Sequence, residues 1–138
     1  MIQKYSMLKT AGPADMTPLE YGGYKFVQDY WDHKAKEPPF LADVAKIDAS
    51  WAQSKQFYIG ENGTGNAIKT RYPDFKKWLS EHPDTPIIMP NVSWSESFKQ
   101  IQFGNGRHRF AVFRDMGFKK LWVSIPKNQL KFFQENFA

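Results

Sequence analysis

Three consecutive side chains, Arg107, His108 and Arg109, stand where a glycine-framed turn meets a predicted helix. The turn is Gly104-Asn105-Gly106, and the apolar pattern that follows indicates a helix over residues 107–116. The first N–H groups of a helix lack partners within it, and the helix dipole adds partial positive charge at the same end. Cations at this end are unfavourable unless an anion joins them, so the pattern predicts a phosphate-binding helix start.

Each side chain of this turn has its own chemistry. Glycines at 104 and 106 let the backbone approach a ligand closely, while Arg107 and Arg109 are charge-assisted donors suited to phosphate oxygens. His108 can donate a hydrogen bond to phosphate or transfer a proton near neutral pH. Arg114 follows Arg107 by two turns on the same helical stripe. The alternative is an ordinary strand–helix turn whose basic residues are solvated, at a small cost against the dipole.

A second glycine-rich segment, residues 60–66, precedes another predicted helix. It lacks the Gly-Lys-Ser/Thr ending of a Walker loop. Asn66 could cap the helix or face a ligand, and Lys69 and Arg71 could reach the phosphate from a second side. The alternative is a flexible connection. The carboxylates are scattered, and Asp115 reads as a surface group, so no residues are predicted to be metal ligands.

The elements that must position these residues alternate between strands and helices. Strands are predicted around residues 44–47, 57–60, 85–90, 99–103 and 119–125. Helices are predicted over residues 24–34, 67–79 with a kink at Pro73, 107–116 ending at Gly117, and 126–137. We therefore expect a mixed α/β fold, a single small domain over residues 42–138 with a mixed sheet and flanking helices, preceded by an arm and short helix over residues 1–41.

The amino-acid composition indicates which kinds of partner to expect. The chain has 138 residues, of which 19 are Lys or Arg and 14 are Asp or Glu, for a formal net charge of +5. A basic chain favours anionic partners such as nucleotides or a nucleic-acid backbone. Aromatic residues are 17% of the chain, and these fill a core or present flat faces to bases.

The residues that are missing exclude other classes. There is no cysteine, which excludes disulfides, thiolate metal ligands and thiol chemistry. There is no apolar run long enough for a membrane span and no apolar core of a signal peptide. We therefore expect a cytoplasmic protein, or one delivered to a target cytoplasm by a route without a classical signal.

The segment NGRHRFAVFRDMGFKKLWVSI (105–125) resembles the ParB/sulfiredoxin superfamily. Its members carry a Gly-x-His-Arg or Gly-x-x-Arg box that opens a helix and is followed by a strand. Upstream, YIGENGTGNAIKTRYPDFKKWL (58–79) and IIMPNV (87–92) resemble plasmid fertility-inhibition, or oncogenic-suppression, proteins. The two resemblances together cover residues 44–125.

In that superfamily the box cradles the phosphates of a nucleotide, and the resemblance implies the same here. The ligand it implies is ATP or another nucleotide, with Mg²⁺ as an optional companion. Sulfiredoxins need a Cys directly before the His-Arg pair, and Arg107 stands at that position, so sulfinic-acid reduction is excluded. His108 and Arg109 are the predicted catalytic pair. The predicted phosphate- or nucleotide-binding residues are Gly104, Asn105, Gly106, Arg107, His108, Arg109, Asn66 and Arg71.

Three functions stay open on this reading. The first is a nucleotide- or nucleic-acid-binding domain, with DNA as the expected polymer, that hydrolyses ATP or DNA. The second is a non-enzymatic inhibitor that binds a protein of a plasmid conjugation or secretion system. The third is a toxin or effector domain of the same fold that is delivered between bacteria.

Overall fold

The computed structural model describes residues 17–138, which form a mixed α/β fold, as the sequence predicts. The strands are Leu19–Tyr21 (β1), Tyr24–Val27 (β2), Pro39–Asp43 (β3), Ile87–Ile88 (β4), Asn91–Ser95 (β5), Gln100–Asn105 (β6) and Lys120–Ser124 (β7). The α-helices are Tyr30–Lys34 (α1), Val44–Trp51 (α2), Arg71–Glu81 (α3), Arg107–Asp115 (α4) and Leu130–Asn136 (α5). Short 3-10 turns lie at Glu61–Gly63 and Lys127–Gln129.

The strands form two sheets that share one stretch of chain. The smaller sheet has the order β1-β2-β4 and the larger one the order β3-β7-β5-β6, with β2–β4 and β5–β7 parallel and the other pairs antiparallel. Between β4 and β5, the Met89 N–H donates to the Val27 carbonyl (2.8 Å), and the Ser124 N–H donates to the Pro90 carbonyl (2.9 Å). Residues 87–95 therefore tie the two sheets together.

Helix α4 lies in the centre of an aromatic core. Its residues Phe110–Phe113 are fully buried. The Phe113 ring centroid lies 5.4 Å from that of Phe26 and 5.9 Å from that of Phe75. On the opposite side, Trp51 of α2 packs edge-on against Phe110, with 5.8 Å between centroids. Much of the aromatic content thus fills the core, and burying these rings is what holds α4 against both sheets.

Two predicted elements have the wrong type. Residues 24–34 contain β2 followed by α1, because Phe26 and Val27 pair with β4 and Asp29 then caps the helix, its Oδ1 accepting from the Trp31 N–H. Residues 44–47 are helical, because the strand lies earlier, over β3, and Asp43 caps α2 by accepting from the Lys46 N–H. The apolar residues of α2 recur at helical spacing.

Other expectations are corrected in detail. Pro73 does not kink its helix, because it lies in the first turn of α3, where its missing N–H would have had no partner. The strand predicted at 57–60 is a single bridge between Ile59 and Gly65. The expected domain boundary between residues 41 and 42 falls inside β3, which pairs with β7 along its whole length, so residues 19–41 belong to the same folded unit. Residues 1–16 of the expected arm lie outside the described residues.

The predicted end of α4 is confirmed. Gly117 has φ +88°, its N–H donates to the Arg114 carbonyl, and the Phe118 N–H donates to the Phe113 carbonyl. These two hydrogen bonds around a glycine in the left-handed conformation form a Schellman motif. Within residues 17–138, none of the helices is both long and apolar enough to cross a membrane.

Candidate anion-binding site

The start of α4 is the centre of the candidate site. Gly106 precedes the helix with φ +80° and ψ +16°, and as a glycine it supplies no side chain to cap the first turn. The first regular bond of the helix runs from the Phe110 N–H to the Gly106 carbonyl (2.9 Å). A left-handed residue followed by right-handed ones directs successive N–H groups to one side, which is the geometry of backbone anion sites.

Arg107 is held at this helix start by the loop beside it. Its Nη1 donates to the carbonyls of Phe57 (3.0 Å) and Asn66 (2.9 Å), and its guanidinium carbon lies 5.8 Å from the centroid of the Phe57 ring. Burial and the like charge of Arg71 lower the pKa of Arg107, although an arginine stays protonated at neutral pH. Within residues 17–138, neither Arg71 nor Arg107 forms an ion pair with a carboxylate. Among the described residues, two cations without an ion-pair partner therefore lie beside a helix start whose N-cap residue is a glycine.

Arg109 points the other way, into the protein. It is 3% exposed, and its Nη2 donates to Oδ1 of Asn105 (3.1 Å). A Cβ atom at position 106 would lie 2.6 Å from the Arg109 Nη2 and 2.8 Å from the Cα atom of Pro90. A Cβ atom at Gly104 would lie 2.7 Å from Oδ1 of Asn91. The absence of a side chain at Gly104 and Gly106, predicted to let a ligand approach, thus allows neighbouring parts of the protein itself to pack closely there.

A buried carboxyl group that sequence reasoning missed lies close to Arg109. Asp32 of α1 is 9% exposed, its Oδ1 accepts from Nδ2 of Asn91 (3.1 Å), and its Oδ2 has no hydrogen-bond partner in the described structure. Burial raises the pKa of Asp32 above its usual range, outweighing the Asn91 bond and the charge of Arg109. Nothing in the local pattern around Asp32 marks it, because its partners come from distant segments.

His108 is buried and its ring anchors the approach to α3. Its Nε2 accepts from the backbone N–H of Ile68 (2.9 Å), so this nitrogen carries no proton in the arrangement seen. The bond brings the segment before α3 against the first turn of α4 and places Arg71, the first residue of α3, close to Arg107. The role of His108 and Arg109 in proton transfer or phosphate chemistry stays a prediction.

The side chain of Asn66 braces its own loop. Its Nδ2 donates to the carbonyls of Lys55 and Tyr58, both at 3.0 Å. Asn66 therefore reaches the helix start only through its main-chain carbonyl, which accepts from Arg107, whereas Arg71 lies near enough for its charge to act on Arg107.

Arg114 does not join Arg107 at the site. It donates to Asp48 (3.0 Å), to the adjacent Asp115 (3.0 Å) and to the carbonyls of Ile59 (2.6 Å) and Gly60 (2.9 Å). Arg107 therefore binds both ends of the loop over residues 57–66, and Arg114 binds the Ile59 and Gly60 carbonyls within it.

Asp115 was expected on the surface but is largely buried in this network. It also accepts hydrogen bonds from the Tyr72 hydroxyl and the Asn62 N–H. Burial alone would raise the pKa of Asp115, but the bonds from Arg114, Tyr72 and Asn62 outweigh it and hold that pKa below its usual range.

In the described part of the chain, no group of three or more His, Cys, Asp or Glu residues is placed to hold a metal ion. Comparisons with protein-family models, with curated proteins and with solved structures found no match. The resemblance to the ParB/sulfiredoxin superfamily accordingly stays a hypothesis, and the functional argument depends on the geometry of the site.

Proposed function

We propose that the protein binds the phosphate of a nucleotide or of a nucleic-acid strand at the start of α4. The observation that carries the proposal is the pair Arg71 and Arg107, two cations without an ion-pair partner among residues 17–138, beside a helix N-terminus whose N-cap residue is Gly106. Like charges held together are costly, and a phosphate between them would relieve the repulsion. The helix dipole acts in the same direction.

Hydrolysis of a phosphoanhydride or phosphodiester bond is the second part of the proposal. The donors that hold a phosphate in its ground state would also stabilise the charge that develops on its oxygens in the transition state. Arg107 and the helix N–H groups would supply that stabilisation. The buried side chains of His108 and Arg109 would hold these donors in position. His108 binds the segment before α3 through Ile68, and Arg109 packs against the turn at Gly106.

Calorimetric titration with inorganic tripolyphosphate and with ATP, with and without Mg²⁺, tests the binding. Arg71→Gln is the informative variant, because the Arg71 side chain is exposed and makes no hydrogen bond within residues 17–138. We expect it to weaken binding about tenfold, the size of one lost charge-assisted contact. Lys77→Gln, which removes an equal charge from the exposed face of the same helix, is the matched control and should bind like the wild type.

The dependence of binding on salt concentration is a second test of the proposal. Binding should weaken as the KCl concentration rises, because exposed charges are screened. If tripolyphosphate, the nucleoside triphosphates and a single-stranded DNA oligonucleotide all fail to bind the wild-type protein at low salt, the proposal is wrong. Phosphate release from ATP and cleavage of a DNA strand, measured on the same variants, then decide whether bound phosphate is also hydrolysed.

A further inference from the structure

A cavity of about 420 Å³ opens beside Arg107, between the end of α2 with residues 53–57 and strand β6. Its volume lies in the range of small-molecule sites, roughly 300–1,000 Å³. The lining combines aromatic rings with side-chain amides. Among the lining residues are Trp51, Phe57, Phe98, Phe103, Gln102 and Arg107.

The aromatic rings form an inner wall and a rim. Trp51 and Phe103 contact each other edge to face, 4.7 Å between centroids, and form the inner wall. Phe57 and Phe98 stand at the rim and are 54% and 71% exposed. Covering large exposed apolar rings with a flat ligand is favourable because it removes their surface from water. Aromatic faces are also the surfaces on which nucleobases stack.

The polar part of the lining suits the edge of a base. The side-chain amides of Gln53, Gln56 and Gln100 make no hydrogen bond within the described structure, and that of Gln102 makes only a long one to Ser93 (3.4 Å). An amide offers a donor and an acceptor together, which is the pattern needed to pair with the edge of a heterocyclic base.

The charge of the lining suits an anion. Lys55 and Arg107 are its charged residues, and no carboxylate lines the cavity. Arg107 belongs both to this lining and to the first turn of α4, so the cavity and the anion-binding site are continuous. A ligand that carries a phosphate at one end and a planar base at the other would engage both.

We propose that the cavity receives the base of the nucleotide whose phosphate lies at the start of α4. The base stacks on the rim formed by Phe57 and Phe98, and the glutamine amides bind its edge. The nucleotide is either free or an unpaired residue of a nucleic-acid strand, and these two sources present the same chemistry to the cavity. This inference rests on the proposed function and adds to it a site for the base, the part of the ligand that the phosphate site does not contact.

The experiment compares ligands with and without a base. The probes are inorganic tripolyphosphate, the four common ribonucleoside triphosphates, and a single-stranded thymidine hexanucleotide alongside the same hexanucleotide with all bases removed. Each is titrated into the wild type, Phe57→Ala, Phe98→Ala and the double variant. Trp31→Ala is the matched control, because Trp31 is also an exposed aromatic residue (66%) but does not line the cavity.

The expected result separates the two halves of the ligand. The double variant should bind the preferred base-bearing probe about tenfold more weakly, the effect of one lost stacking contact, and should bind tripolyphosphate like the wild type. Arg71→Gln should weaken both kinds of probe, and Trp31→Ala neither. A loss seen with triphosphates indicates a free nucleotide, and a loss seen with the hexanucleotide but not with triphosphates indicates a strand. Gln102→Leu should change the order of preference among the probes with bases.

Two failures are distinguishable. If tripolyphosphate binds but no base adds affinity and the phenylalanine variants change nothing, the base cavity is wrong and the phosphate site stands. If tripolyphosphate, the triphosphates and the hexanucleotide all fail to bind the wild type, both proposals are wrong.

Discussion

The backbone N–H of Ile68 donates to Nε2 of His108 across 2.9 Å. This hydrogen bond joins the segment that leads into α3 to the first turn of α4. It explains how Arg71, far from Arg107 in the chain, comes close enough for the two charges to interact. The histidine of the box thereby organises the site through its acceptor nitrogen.

We predict that His108→Phe loosens this junction. A phenylalanine fills similar space but cannot accept the Ile68 N–H, so the free energy of unfolding should fall by about 1 kcal/mol. Hydrogen exchange at the Ile68 amide should become at least about tenfold faster, as expected for a lost hydrogen bond. His33→Phe, in α1, should leave that amide unchanged. Unaltered Ile68 exchange in His108→Phe would show that the bond does not hold the segment.

Gly106 should tolerate substitution far less well than Gly117. Both glycines have a left-handed φ, +80° and +88°, so alanine at either costs about 1 kcal/mol in backbone energy. At Gly117 a Cβ atom meets nothing within 4 Å, whereas at Gly106 it meets Arg109 and the backbone of Pro90 below 3 Å. In urea unfolding, Gly106→Ala should lose about 3 kcal/mol or more, and Gly117→Ala about 1 kcal/mol. Equal losses would contradict the packing at Gly106.

Asp115 should stabilise the protein at neutral pH and lose that effect in acid. Its pKa is lower in the folded chain than in the unfolded chain, so its contribution is full above about pH 5 and disappears as pH falls through the folded value. Asp115→Asn should therefore be less stable than the wild type by about 2 kcal/mol at pH 7. The difference should shrink below about pH 4 in thermal unfolding followed across pH. A constant difference at all pH values would rule out the charged form as its source.

Asp32 should show the opposite dependence. Its pKa is raised in the folded chain, so the folded protein holds the proton more tightly, and stability falls as pH rises from about 4 through the folded value. Asp32→Asn should be more stable than the wild type by about 1 kcal/mol at pH 7, because it removes a buried charge. That gain should disappear below about pH 4. Asp29→Asn, which keeps a capping side chain, is the control, and a destabilised Asp32→Asn would overturn the prediction.

Local patterns predict the helix of the site better than its surroundings. The apolar period and Gly117 locate α4 because both signals lie within the helix and its end. The strand predicted at residues 44–47 is wrong because Val44 and Ile47 are β-branched, which favours a strand, whereas the Asp43 cap, which lies just before them, starts a helix. Short segments of this kind depend on which neighbour they pack against.

The contents of the site could be predicted only in part. The cationic turn at Arg107 is visible in the sequence, but the direction of each arginine is not. Arg109 turns inward because its neighbour Gly106 leaves room beneath the turn, and Asp32 meets it only after α1 packs near the end of β7. The aromatic cavity combines residues from α2 and β6, and no local spacing connects these two segments.

The pairing of β2 with β4 and of β3 with β7 also sets the order in which the protein can fold. Both early strands find their partners late in the chain, across α3 and the site loops. Contacts between such distant segments close large loops, and proteins dominated by them fold slowly. During synthesis, β2 and β3 cannot pair with β4 and β7 until residues 87–124 have emerged from the ribosome. The basic turn at Gly106, which leads into the central helix, thus lies in the segment on which both of these pairings depend.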